Sequence, residues 1–205
     1  MDAEAELRRL ASKIKKIIRS KPDVLGGHTT NVPDIRTAKF EISVDAGLES
    51  RPKAYQYVDH FESMVRSPEL KQLINLLKDV EEYLIWGHAP GYTRDNVGQE
   101  FLDNYCHALL SGPDGPLRCE VPLGAFVLFG PDTLYKDHSH VPNEVYLAIT
   151  GGGEWRVGEN PWVKLDEGDS IFIPSNAVHA IRTGSKPLLT FSFWLESADL
   201  ESINI

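Results

Sequence analysis

The sequence has little cysteine, no long apolar run and a shortage of basic residues. Its only cysteines, Cys106 and Cys119, lack CxxC spacing, so no disulfide framework is expected. No stretch reaches the roughly 18 apolar residues of a membrane span, and the opening residues, MDAEAELRRL, lack the apolar core of a signal peptide. The 21 basic and 30 acidic residues give a net charge of −9, which disfavours nucleic acid and membranes as partners. We therefore expect a cytoplasmic protein with a small-molecule substrate.

Motifs for organic cofactors and for several enzyme classes are also missing. The chain has no Gly-rich phosphate loop, no GxSxG nucleophile turn and no HExxH pair. No organic cofactor is therefore expected. The length of 205 residues fits one large domain, or one domain with a smaller appendage.

The first half of the chain has helical periodicity. Apolar residues recur at helical spacing between Leu7 and Ile18, and Ser20-Lys-Pro ends that pattern. A second helix is predicted from Ser67, which acts as its N-cap, to about Trp86. A third is predicted over 97–109, and the Gly/Pro-bearing segment 26–37 is expected to be a connection.

The second half has the pattern of short strands. From Leu117 onward, short apolar or alternating runs follow one another between Gly, Pro and Asp turns: AFVLFG, EVYLAIT, GEWRVG, WVKL, SIFIP, HAIRT and LLTFSFWL. The predicted fold class is α+β, mainly β. Residues 1–116 form an α-helical region that packs on an antiparallel β-barrel of residues 117–205. Exposed edge strands of such a barrel often pair, which leaves a homodimer open.

Polar residues crowd one strand of this barrel, DHSHVPNEVYLAI. His138, His140, Glu144 and Tyr146 all have even numbers, so an extended chain projects them to one face. A bend is expected at Val141-Pro-Asn, which weakens the argument from alternating faces between His140 and Glu144. Two imidazoles and a carboxylate suit a divalent transition metal such as Fe, Zn, Mn, Ni or Co.

A fourth ligand is expected from a neighbouring strand. The segment that starts at Gly168 contains a turn, a strand and a stop at Pro174, and His179 follows five residues later. The predicted metal ligands are therefore His138, His140, Glu144 and His179. The other histidines, His28, His60, His88 and His107, lack metal-ligand spacing and are expected to be surface or core residues.

These two segments resemble the paired motifs of the cupin superfamily. The first motif is G-x5-HxH-x3,4-E-x6-G. This chain departs from it at the start, where seven residues separate Gly130 from His138, and follows it from His138 to Gly151. The second, G-x5-PxG-x2-H-x3-N, keeps Gly168, Pro174 and His179 but has Asn176 for its second glycine and lacks its last asparagine. The resemblance covers about residues 117–196 and implies a jelly-roll type of barrel.

Aromatic residues around the ligands make the chain similar to the cupin dimethylsulfoniopropionate (DMSP) lyases and lyase-like proteins. The similarity lies in Glu144-Val-Tyr146, in Tyr135 and in the tail HAIRTGSKPLLTFSFW, which contains Trp194. The resemblance implies that DMSP is split into dimethyl sulfide and acrylate, with Tyr146 removing the α-proton and Tyr135 as a further catalytic tyrosine. Aromatic faces attract cations, so Trp194 and Tyr135 are the expected contacts of the sulfonium group.

Three other functions remain open from the sequence. A cupin of the same group can keep the metal site and act on another small carboxylic acid. Three histidines and a glutamate also serve Fe(II) dioxygenases. A metal-bearing sensor or binding protein without turnover is the third alternative.

Overall fold

The computed structural model describes residues 2–20, 39–40, 51–120, 123–196, 200 and 203–205. The helices of these residues are α1 Ala3–Arg19, α2 Phe61–Met64, α3 Pro68–Asp79 and α4 Gln99–Asp103. Two 3-10 segments span Lys53–His60 and Glu81–Tyr83. The predicted connection 26–37 and His28 lie outside the described residues.

More of the described residues lie in strands than in α-helices. The strands are β1 Lys39–Phe40, β2 Trp86–Gly87, β3 Tyr105–Gly112, β4 Leu117–Arg118, β5 Leu123–Phe129, β6 Leu134–His138, β7 Glu144–Ala148, β8 Glu154–Val157, β9 Val163–Lys164, β10 Ser170–Ile173, β11 His179–Arg182 and β12 Leu188–Trp194. A larger sheet has the order β1-β4-β3-β5-β12-β7-β10, with β2 also paired to β3, and a smaller sheet has the order β6-β11-β8-β9. All pairs are antiparallel except β3 with β4. The α+β, mainly β jelly-roll prediction is confirmed.

Two helices follow the signals that the sequence carries for them. Asp2 caps α1, and the buried residues of α1 from Leu7 to Ile18 lie on one face. Ser67 accepts a hydrogen bond from the backbone N–H of Leu70 at the start of α3. The second helix ends at Asp79, before the predicted end near Trp86, and a 3-10 turn follows it.

The third predicted helix is wrong beyond Asp103. Only Gln99–Asp103 is helical, and Tyr105–Gly112 forms β3, which pairs with β5 in the larger sheet. Nearly every residue of β3 is buried, so its hydropathy does not alternate, and a continuous apolar run is as compatible with a helix as with a strand. The division of the chain at 116 and 117 stays a prediction, although strands begin before it.

The larger sheet has an outer face and an inner face. The outer face packs with α1 and α3 in one apolar cluster that includes Leu7, Leu73, Val145, Leu147 and Phe191. The inner face packs against the smaller sheet in a second cluster, to which Tyr146 and Trp194 contribute from one sheet and Tyr135 and Trp155 from the other. Among the described residues, no helix is both long enough and apolar enough to cross a membrane.

Candidate metal centre and active site

Strand alternation brings the polar residues of β7 and β12 to the inner face. Glu144 and Tyr146 line a cavity between the sheets, whereas Val145 and Leu147 belong to the outer cluster. Register places Ser192 opposite Tyr146 and Trp194 opposite Glu144 on the neighbouring strand. The carboxylate, the phenol, the hydroxyl and the indole therefore share one patch of the inner face.

Three of the four predicted metal ligands converge. The donor atoms of His140, Glu144 and His179 all lie within 4.8 Å of one another, and all three residues are buried. The Nε2 atoms of His140 and His179 are 2.9 Å and 3.5 Å from Oε2 of Glu144. His179 starts β11 and lies opposite His138, the last residue of β6. The ring of His138 is 4.0 Å from that of His179, centroid to centroid, but it does not join the close donor group.

The orientation of each histidine is fixed by the main chain. Nδ1 of His138, His140 and His179 lies 2.9 Å from the carbonyl oxygens of Lys136, Pro142 and Ala177, respectively. Because a carbonyl oxygen only accepts, each Nδ1 must carry the hydrogen. Metal-binding histidines are commonly held in this way, with Nε2 left to the ion.

The geometry of this group fits a divalent ion. Nε2 of His179 is buried and has no hydrogen-bond partner among the described residues. A buried nitrogen without a partner costs free energy, which coordination of an ion removes. The described residues therefore contain a His/Glu/His grouping that could hold a metal, and its donors suit several transition ions alike.

Glu144 is held by residues on both sides. The indole Nε1 of Trp194 donates to Oε1 at 2.9 Å, and the hydroxyl of Ser192 donates to the same oxygen. Burial acts to raise the pKa of Glu144, but the charge and hydrogen bond of His140, with a smaller contribution from the nearby His179, outweigh it and hold that pKa well below the usual value. The carboxylate is therefore ionised at neutral pH.

A hydrogen bond joins Nε2 of His140 to that carboxylate. Burial lowers the pKa of this imidazole, but the charge and hydrogen bond of Glu144 outweigh burial, so that the pKa of His140 is raised. Binding of a divalent ion there requires loss of the Nε2 proton, since a ligating imidazole is neutral. In contrast, burial and the neighbouring His179 lower the pKa of His138 well below its usual value, so this ring is neutral.

Tyr146 is buried beside the ligands. It is 4 % exposed, and its ring centroid lies 6.0 Å from that of Trp155. Burial, followed by the charge of Glu144, raises the pKa of Tyr146 well above 10. The phenol is therefore protonated unless positive charge is brought close to it.

Tyr135 and Trp194 lie against the histidines. The ring of Tyr135 stacks on His138 with centroids 3.7 Å apart, and its hydroxyl is hydrogen-bonded to that of Tyr92. Burial raises the pKa of Tyr135 well above 10. The ring of Trp194 lies 4.5 Å from that of His140, while its N–H is engaged by Glu144. Both aromatic residues line the cavity, so the structure brings them to the group of ligands.

The cavity wall contains residues that sequence reasoning missed. Tyr105 and His107 on β3 line it, and Ser192 lines it beside Glu144. Recognition of β3 as a strand would have placed both β3 residues on one face, because their numbers differ by two. The expectation of a surface or core position for His107 therefore missed its place on the cavity wall.

Comparison with known proteins indicates one family. A family model described as dimethylsulfoniopropionate lyase matches residues 37–190. The chain is 32% identical over 112 residues to the DMSP lyase DddQ of Ruegeria pomeroyi, covering 54% of either protein. It is 31% identical over 110 residues to the putative DMSP lyase DddL of Cereibacter sphaeroides, covering 53% of this chain and 46% of that one. The chain thus spans about half the length of the curated relatives it matches.

Solved structures share the fold over the whole chain. A chain from the crystal structures of the DMSP lyases RdDddP and RnDddQII superposes with a TM-score of 0.79 and 21% identity, covering 100% of this chain and 99% of that one. The crystal structure of DddQ from Ruegeria pomeroyi DSS-3 gives a TM-score of 0.76 and 20% identity, covering 100% and 97%. Because the family model spans most of the sequence, the chain belongs to the dimethylsulfoniopropionate lyase family.

Proposed function

We propose that this protein is a metal-dependent carbon–sulfur lyase that splits DMSP into dimethyl sulfide and acrylate by β-elimination. Family membership supports the reaction class. The observation that carries the metal dependence is the buried group of His140, Glu144 and His179 in the cavity that Tyr146 also lines. His138, beside His179, is the proposed fourth ligand.

Tyr146 is the proposed base. It takes the proton from the carbon α to the carboxylate, the electrons of that C–H bond form the C=C bond of acrylate, and the C–S pair leaves with sulfur. When bound, a divalent ion would supply positive charge that offsets the developing negative charge on the substrate and favours a phenolate. Tyr146 needs that help, because burial and Glu144 raise its pKa.

The other cavity residues hold the site and the substrate. Ser192 and Trp194 orient the carboxylate of Glu144 through hydrogen bonds. The faces of Tyr135 and Trp194 are the proposed contacts of the sulfonium, each contributing roughly 0.5–2 kcal/mol. The hydroxyl of Tyr135, bonded to Tyr92, is the proposed second catalytic phenol. A cytoplasmic location and a homodimer stay predictions.

The direct test is dimethyl sulfide release, measured by headspace gas chromatography. Protein stripped of metal and then supplied with Fe, Zn, Mn, Ni or Co separately should release dimethyl sulfide with at least one ion. No release above the metal-free control with any ion would refute the proposal. Oxygen consumption instead would indicate a dioxygenase, and turnover of another small acid would indicate a lyase-like relative.

Tyr146→Phe tests the base. Loss of the phenol hydroxyl should lower the rate of dimethyl sulfide release on the order of a thousandfold, within the usual range for a positioned acid or base. The metal content by elemental analysis should stay unchanged. Tyr83→Phe, a partly buried tyrosine outside the cavity, is the matched control and should keep full activity. Near-normal turnover by Tyr146→Phe would leave the base unassigned.

A further inference from the structure

His107 lines the same cavity as the ligands but on a different strand. It belongs to β3, and the sheet order β3-β5-β12-β7 puts three strand spacings between it and Glu144. It pairs with Val127, an inward residue of β5, and it is 8 % exposed. It also lines a second cavity, of about 210 Å³, which includes His88 and Asp114. His107 therefore stands where the inner cavity meets the outer one.

The imidazole of His107 presents a lone pair rather than a proton. Its ring hydrogen-bonds the backbone of Gly87, and Nδ1 is buried without a partner among the described residues. Since a carbonyl only accepts, Nε2 carries the hydrogen and Nδ1 keeps its lone pair. Burial, with a smaller contribution from His88, lowers the pKa of His107 to about 4, so the ring is uncharged at neutral pH.

Apart from Tyr105, whose ring centroid is 6.2 Å from that of His107, the wall near His107 is apolar. Leu123, Ala125 and Val127 of β5 line the cavity next to it, while the carboxylate and imidazoles of the candidate metal centre lie on β7, β11 and the loop before β7. A buried acceptor without a donor repels a carboxylate and attracts a positive group. The cavity thus has a cation-binding centre in one part and a lone pair in another.

That arrangement matches a zwitterion with a carboxylate at one end and an onium group at the other. We infer that Nδ1 of His107 is a further binding contact for the positively charged end of the substrate, a sulfonium or a similar onium, beside the faces of Tyr135 and Trp194, and so helps to distinguish charged from neutral ligands of the same shape. The inference rests on the proposed function. Carbon atoms attached to a sulfonium carry polarised hydrogens, which an imidazole lone pair accepts as weak hydrogen bonds.

The reaction gives this contact a kinetic signature. Elimination converts the sulfonium into neutral dimethyl sulfide, so the positive charge fades as the C–S bond breaks. A group that attracts the charge binds the substrate more tightly than the transition state. Loss of Nδ1 should therefore raise KM for DMSP and leave kcat equal or higher.

The decisive experiment compares DMSP with 4-methylpentanoate, which has the same shape but carbon in place of the sulfonium. Binding of each compound is measured by isothermal titration calorimetry on Zn²⁺-loaded Tyr146→Phe protein, where turnover is suppressed. His107→Leu removes the lone pair, and His107→Asn keeps an acceptor oxygen near the position of Nδ1. Circular dichroism confirms that both variants fold.

The preference for DMSP over 4-methylpentanoate should fall about fivefold in His107→Leu, the upper end of the range for a weak C–H hydrogen bond, and should stay within about twofold of the parent in His107→Asn. An unchanged preference in His107→Leu overturns the inference, as does an equal fall in both variants. If the parent binds neither compound, the proposed function itself fails, and this inference fails with it.

Discussion

The outer and inner faces of the larger sheet are built from the same strands, yet they hold different kinds of residue. In β12, Phe191 and Phe193 point to the helices, whereas Ser192 and Trp194 point into the cavity and hold Glu144. The buried imidazole and carboxylate side chains of the described residues lie between the sheets. Strand alternation thus separates the residues that hold the fold from those proposed to do chemistry.

The largest expected effect is a loss of stability that leaves the metal affinity of the site unchanged. Phe191 is fully buried and stacks edge-on against Phe126 at 5.0 Å, so Phe191→Ala should lower the free energy of unfolding by about 3–5 kcal/mol. Folded protein should keep its metal affinity, because the removed ring lies on the outer face. Urea denaturation and metal titration measure the two effects; a large loss of metal affinity would break the separation of faces.

The second prediction concerns the pH dependence of stability that the buried His107 of the inner face should cause. The pKa of His107 is lowered from 6.5 to about 4, so the unfolded chain binds more protons between these values, and stability falls as the pH falls through that window. The loss should reach about 3 kcal/mol at the acid end of the window, because each tenfold difference in proton affinity between the folded and unfolded chain corresponds to about 1.4 kcal/mol.

His107→Leu serves as the comparison for this pH effect. The variant lacks the group that titrates, while His140 and Glu144 titrate in both proteins, so the difference between the two stability curves isolates His107. Denaturation of metal-free protein at pH 7, 5 and 4 measures it, and about 2 kcal/mol of the loss should be present by pH 5. Parallel curves would show that His107 is not a buried neutral imidazole.

The third prediction concerns the support of Glu144. Ser192→Ala removes one of the two donors to Oε1, so metal affinity should fall roughly tenfold, as for other residues that orient a ligand. Thr190→Val is the matched control, because its hydroxyl is buried on the same face of β12 but bonds the carbonyl of Val127. Competition with a chelator measures both variants, and an equal loss in the two would contradict a specific role for Ser192.

The smallest effect is expected at the edge of the helical layer. Ser67 caps α3 by accepting the N–H of Leu70, so Ser67→Ala should cost about 1 kcal/mol of stability. Metal affinity should be unchanged. Thermal unfolding tests the first statement, and a change in metal affinity would show that the outer layer controls the site after all.

Local signals in the sequence predicted the parts of this architecture that local physics determines. The cap at Ser67 marks α3, and alternation in β7 separates Glu144 and Tyr146 from Val145 and Leu147. These features depend on neighbours a few residues apart.

The missed features depend on distant contacts. No local sequence pattern near Ser192 predicts its hydrogen bond to Glu144, 48 residues away. The helix wrongly predicted at β3 has a similar cause, since a strand buried on both faces loses its period of two, and with it the signal that His107 points inward.

The different residues on the two faces of β7 determine which mutations this strand tolerates. A substitution in Glu144–Ala148 affects one face and leaves the other in place. One inserted or deleted residue would instead exchange the faces over the shifted stretch, sending apolar side chains to the metal centre and the carboxylate into the helical core. A point replacement in β7 should therefore damage either the core or the site, whereas a change of length should damage both at once, a difference that a library of single-codon substitutions and insertions across 144–148 would reveal.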